Sequence, residues 1–116
     1  MESILTSIKQ KLGIDELDES FDVDVIMDIN MAFETLNDLG VGPSDGFVIE
    51  DKTATWMDFT QGDKGLESVK TYIYLKVRIV FDPPASSIVM DAMSRSISEL
   101  EWRLCNRRRE EEIQNG

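Results

Sequence analysis

LESVKTYIYLKVRIVFDPP, running from Leu66 to Pro84, decides how this chain is read, because it fits two incompatible patterns. With period two, Ile73, Leu75, Val77, Ile79 and Phe81 share one face, and Tyr72, Tyr74, Lys76 and Arg78 share the other, as on a half-buried strand. With period 3.6, Val69, Tyr72, Ile73, Val77, Val80 and Phe81 form a broad apolar stripe on a helix. A strand over Thr71–Phe81 would be long for a globular protein, and only Phe47–Ile49 is on offer as its partner. A helix needs no partner strand. The segment has no Gly or Pro before its end, and Asp82-Pro83-Pro84 disfavours continuation, because the residue before a proline is driven out of the helical region. The spacing therefore predicts a helix over Leu66–Phe81, with its Tyr and β-branched residues tolerated through burial.

The flanking segments are helical too. Ile4, Ile8 and Leu12 repeat at i, i+4, i+8 with Leu5 beside them, predicting a helix over Glu2–Leu12 with Lys9 and Lys11 at its negative end and Gly13 as its stop. An acidic linker, Ile14–Ser20, follows. Asp22 reads as the next N-cap, with Phe21 and Ile26 as a hydrophobic staple. Val25, Ile26, Ile29, Ala32, Phe33, Leu36 and Leu39 then keep one face apolar until Gly40 ends the helix. Residues 40–65 form a long connection. Phe47-Val48-Ile49 fits a short strand, with Thr53–Thr55 as an available partner. Trp56, Met57 and Phe59 fit a single helical turn capped by Thr55, and the aromatic residues are expected to pin the connection to the core. After Pro84, a helix from Ser86 to Glu112 carries Ile88, Val89, Ala92, Met93, Ile97, Leu100 and Leu104 as its stripe. Its acidic end opposes the helix dipole, so residues 105–116 are expected to form a flexible or partner-ordered tail. The predicted fold class is all-α: one domain over residues 1–116, a small bundle of about four helices, with a short β-hairpin as an option between helices two and three.

Composition narrows the chemistry. The chain of 116 residues has one cysteine, Cys105, so it can form no internal disulfide, and it has no histidine. Lack of histidine removes the commonest general base, the commonest metal ligand and every Ser-His or Cys-His pair. The start, MESILTSIKQKL, is broken by Lys9 and Lys11 and does not read as a signal peptide. Lys76, Arg78 and Asp82 interrupt the longest apolar run, so no membrane span is expected. Net charge is −11, and the acids crowd into residues 1–63. Such a half is unsuited to wrapping nucleic acid but is compatible with lining a passage along which DNA slides; the plainer reading is a solvated face.

Motif tests are mostly negative. A calcium loop starting at Asp18 would use Asp18, Ser20 and Asp22, but it would place Val23 where glycine is needed and Ile29 where a bidentate Glu is needed. Gly40-Val41-Gly42 follows a helix and lacks the Gly-Lys-Ser/Thr of a phosphate loop. Neither a catalytic pair nor a cofactor site is predicted. Trp102 lies off the Ile97–Leu100–Leu104 line, where it is either an interface anchor or a cap on the edge of the helix packing. Arg107-Arg108-Arg109 is either a partner contact or a solvated helix end.

Three runs, EDKTATW over Glu50–Trp56, VKTYIYLKVRIVFDPP over Val69–Pro84 and SELEWRL over Ser98–Leu104, together resemble the small head–tail connector (adaptor, or head-completion) proteins of long-tailed bacteriophages and Gram-positive prophages. The resemblance spans Ile4 to Leu104 and rests on order and spacing, since none of the runs is a catalytic signature. It implies a mostly helical, non-enzymatic virion protein of the neck, made in the host cytoplasm. It also implies a homo-oligomeric ring, commonly of twelve copies, that sits beneath the portal protein, extends the DNA channel and meets the next neck or tail component. The residue chemistry then suggests Trp102, Arg103, Arg107, Arg108 and Arg109, with Trp56 and Phe59, as partner-contact candidates. Asp15, Glu16, Asp18, Glu19, Asp24 and Asp28 are the candidates for an acidic channel wall. A monomeric helical adaptor that binds a partner protein is the competing reading, and a carboxylate-based enzyme is a third.

Overall fold

The computed structural model describes the backbone of residues 2–115 and the side chains of residues 2–107. Five α-helices occur among the described residues: α1 (Ile4–Leu12), α2 (Asp22–Asp38), α3 (Trp56–Thr60), α4 (Ser68–Phe81) and α5 (Ser87–Asn115), with a 3-10 turn at Lys64–Leu66. The ambiguous segment is helical. α4 is the centre of the bundle, packing most extensively on α2, next on α5 and also on α1, whereas α2 and α5 share at most a marginal contact. Val69, Tyr72, Ile73 and Val77 of α4 are fully buried against Val25, Ile29, Phe33 and Leu36 of α2 and Ile4 and Ile8 of α1. Tyr72 buries its ring and donates from its hydroxyl to Glu101 on α5 at 2.7 Å. Burial, then the Glu101 carboxylate, pushes its phenol well above the usual range.

Local chemistry sets the helix ends. Gly40, at φ 79°, is the predicted stop of α2. Its N–H donates to Asn37 O and that of Val41 to Leu36 O, the paired bonds of a Schellman motif. Thr55 caps α3 in a reciprocal capping box with Asp58. Asp82 ends α4, as the following prolines require.

Elsewhere the structure corrects the expectations. α1 starts at Ile4, with Ser3 as the N-cap, because Ser3 is extended and bridges to Thr55, with Ile4 N–H donating to Ala54 O and Trp56 N–H to Glu2 O. The Ser3–Thr55 bridge is the β-type pairing found among the described residues, and Phe47–Ile49 forms no strand. The hairpin fails because Asn30 occupies both hydrogen-bonding groups of Ile49, while Asp51 holds Thr53 in a local turn. Phe21, and not Asp22, is the N-cap of α2. No staple with Ile26 is needed, since Phe21 packs edge-on against Phe81 at 5.7 Å. The aromatic residues do pin the long connection. Phe33 lies 4.9 Å from both Phe47 and Phe59, and 6.5 Å from Trp56. Gly42 passes so close to this cluster that a Cβ there would sit 2.6 Å from the Phe59 ring.

The largest departure is in α5. At 29 residues it rises about 43 Å, roughly twice the length of the 14-residue α4 it packs on. Ile97 and Leu104 reach the core, but Ile88, Val89 and Ala92 of the predicted stripe are exposed, as is Val80 at the end of α4. Ile88 and Ala92 lie on the side of the helix away from Ile97 and Leu104, so they face out from the bundle. The α5 backbone stays helical to Asn115, past the predicted Glu112.

Candidate functional site

Among the described residues no cluster of Cys, Asp and Glu is arranged to hold a metal ion, and no helix is long and apolar enough to cross a membrane. What the molecule offers is surface. On α2, Val23, Met27 and Met31 follow one another at i, i+4, i+8 opposite the buried face, and they are 74%, 57% and 55% exposed. Beside this ridge, Met27, Met31 and Glu34 line a groove of about 430 Å³ with Phe47 and Val48 of the long connection. On α5, Ile88, Ala92, Arg95, Glu99 and Trp102 follow at spacings of four and three, again opposite the buried face, with Ile88 77% and Trp102 67% exposed. Exposed apolar rows of this kind on a small protein mark contact surfaces. The signal for the α2 ridge was in the sequence as Val-x3-Met-x3-Met, hidden by the stronger core stripe on the same helix.

The predicted site residues divide sharply. Trp102 and Arg103 stand on the α5 surface, where Arg103 pairs with Glu99 at 2.5 Å. Arg107 is turned inward, its guanidinium held by the Asp63 carboxylate at 2.6 and 2.7 Å across the 3-10 turn. Arg108 and Arg109 lie outside the residues whose side chains are described. Trp56 and Phe59 are core residues, so neither offers a side chain to a partner. Trp56 donates from Nε1 to Ser7 Oγ at 2.8 Å, and Phe59 sits in the aromatic cluster.

The acids are outside, and the reason is a buried lysine. Lys9 points its ammonium into the start of the linker, donating to Glu16 O at 3.1 Å and Asp18 O at 2.7 Å and pairing with the Asp22 carboxylate at 2.8 Å. This arrangement coils residues 14–21 so that Asp15, Glu16 and Glu19 project into solvent. Asp18 is held below the usual carboxylate range by hydrogen bonds from Ser20. Asp24 and Asp28 lie one turn apart on α2, and the Asp28 carboxyl is pushed up by partial burial and then by the Asp24 charge. The α2 sequence contains no lysine or arginine to offset them.

The surface of this small helical body carries an exposed apolar ridge on α2, a mixed row on α5 and an acidic linker. The family model described as phage connector protein matches residues 4–111. The chain belongs to that family. Searches of curated proteins and of solved structures gave no match. Membership in the phage connector family gives the chain a structural connector role in the phage particle.

Proposed function

We propose that this connector assembles as a ring beneath the portal protein, extends the DNA channel and presents a docking surface to the next neck or tail component. The observation that carries the reading is the pair of exposed faces, the apolar ridge Val23–Met27–Met31 on α2 and the mixed row from Ile88 through Arg95 to Trp102 on α5, on helices that flank the central α4. Two different patches on one chain favour a head-to-tail contact, which closes into a ring when the rotation per subunit allows it. A monomeric adaptor would need only one such face. The acids of the linker are the candidates for the channel wall, where like charge keeps DNA phosphates from adhering. In this reading the protein has no enzymatic activity, and its place in the virion is the neck.

The test is assembly on the cognate portal. Purified protein mixed with portal rings should add a second ring of density, seen by electron microscopy, with a mass increase corresponding to many copies. A portal left bare at high protein concentration would overturn the proposal.

A further inference from the structure

We propose that the subunit contact within the ring is the outer row of α5 on one copy seated along the outer ridge of α2 on the next, with Arg95 placed between Asp24 and Asp28. The inference rests on the ring reading above and gives it a specific interface.

Three observations select a second copy of this chain as the occupant. The first is charge. Glu99 is taken up by Arg103, and Arg95 forms no ion pair among the described residues, so Arg95 is the uncompensated charge in the middle of the α5 row. Asp24 and Asp28 lie side by side along one edge of the ridge next to Met27, with no cation on their own helix. An acid pair repelling itself on one face and an unpaired guanidinium on the other are complementary. The second is length. Ile88 to Trp102 spans about 21 Å of helix and Val23 to Met31 about 12 Å, so the α5 row covers the whole ridge and runs past both of its ends. The third is placement. α2 and α5 pack on α4 and at most marginally on each other, so each molecule can present one face forward and the other backward. The i, i+4 ridge of α2 is of the type that enters the grooves of a facing helix, and its two methionines can adjust to a tryptophan.

Charge reversal is the first test, with ring formation on the portal as the readout. Arg95→Glu alone, and Asp24→Arg with Asp28→Arg, should each lower ring yield on the order of tenfold, and the combination of all three should restore it. These side chains lie at the surface, so circular dichroism should show unchanged helix content. Cross-linking is the second test, in a Cys105→Ser background. Met27→Cys with Ala92→Cys on one chain should give a ladder of multimers with a short bismaleimide. A mixture of the two single variants should stop at dimers. Ala92→Cys alone cross-linking to itself would indicate an α5–α5 contact and overturn the proposal. Rings that form undiminished in both charge variants would also overturn it while leaving the ring reading intact. Failure of the unmodified protein to form any ring on the portal would remove both.

Discussion

The side-chain amide of Asn30 spans both backbone groups of Ile49: Nδ2 donates to the Ile49 carbonyl at 3.0 Å, and the Ile49 N–H donates to Oδ1 at 2.8 Å. One side chain of α2 thus does what a partner strand would do, and it holds the long connection against the helix that carries the exposed ridge. Replacing Asn30 by Ala removes two bonds and leaves the backbone groups of buried Ile49 without partners, a loss of about 2–3 kcal/mol. Urea unfolding should show that loss, and amide exchange should accelerate at Ile49. Asn30→Asp keeps the acceptor but loses the donor, so it should protect the Ile49 N–H while remaining less stable than the parent. Equal stability of Asn30→Ala and the parent would mean that the aromatic cluster alone fixes the connection.

Lys9 is the other unexpected fastener. Its ammonium is almost wholly buried, donates to two linker carbonyls and has the Asp22 carboxylate 2.8 Å away as its counter-charge. Removing one member of a buried charge pair costs about 3–5 kcal/mol, because the other is left uncompensated. That is a large share of the 5–15 kcal/mol that holds a typical domain together. Lys9→Met should therefore unfold at much lower urea, and limited proteolysis should cut first within residues 14–21. Adding Asp22→Leu should recover part of the loss.

Most of the fold was legible because its signals are local. The helical reading of α4 follows from the lack of a strand partner and from Asp82-Pro83-Pro84, and Gly40 and Thr55 announce their caps within four residues. What escaped were pairings across the chain. Lys9 sits where a solvent-facing dipole partner is equally plausible, and only the fold brings Glu16, Asp18 and Asp22 around it. Asn30 looks like one more polar residue on the outer face of α2, and nothing in its neighbours points to Ile49. Phe21 packs on Phe81, sixty residues away, a contact that nothing in its own neighbourhood announces. The candidate site was legible in part: Trp102 stood out for lying off its stripe, whereas Trp56 and Phe59 were drawn into the core by α1 and α2.

Trp56 illustrates how the loop is tied to α1. Its indole N–H donates to Ser7 Oγ at 2.8 Å, and Ser7 in turn donates to Ile4 O at 3.0 Å, both within the core. Trp56→Phe keeps an aromatic ring but removes the bond that the Ser7 hydroxyl accepts, leaving the one it donates to Ile4 O, and shrinks the packing, so a loss of about 1–2 kcal/mol is expected. Ser7→Ala, which leaves the indole N–H unpaired in a buried site, should cost as much. The double variant should cost less than the sum of the two, and a denaturation cycle with additive losses would show that the bond contributes nothing of its own.

The remaining prediction concerns how α5 is anchored. The Asp63 carboxylate accepts from Arg107 on α5 and from the Gly65 N–H of its own 3-10 turn, and these bonds, the Arg107 one first, hold its carboxyl below the usual range. A folded-state value below the unfolded one means that the stabilisation is fully present above the unfolded value, near 4, and is lost as pH falls through the folded value. The tie should therefore hold at neutral pH and release below about pH 4, read as faster amide exchange around Leu104 and at Leu66. Asp63→Asn should show that faster exchange already at neutral pH, with little further change on acidification. Gly65→Ala offers a second route to the same state, because a Cβ there would overlap the Arg107 guanidinium and displace it. If α5 exchanged equally slowly in all three proteins at pH 7, its anchorage would lie in Ile97 and Leu104 alone.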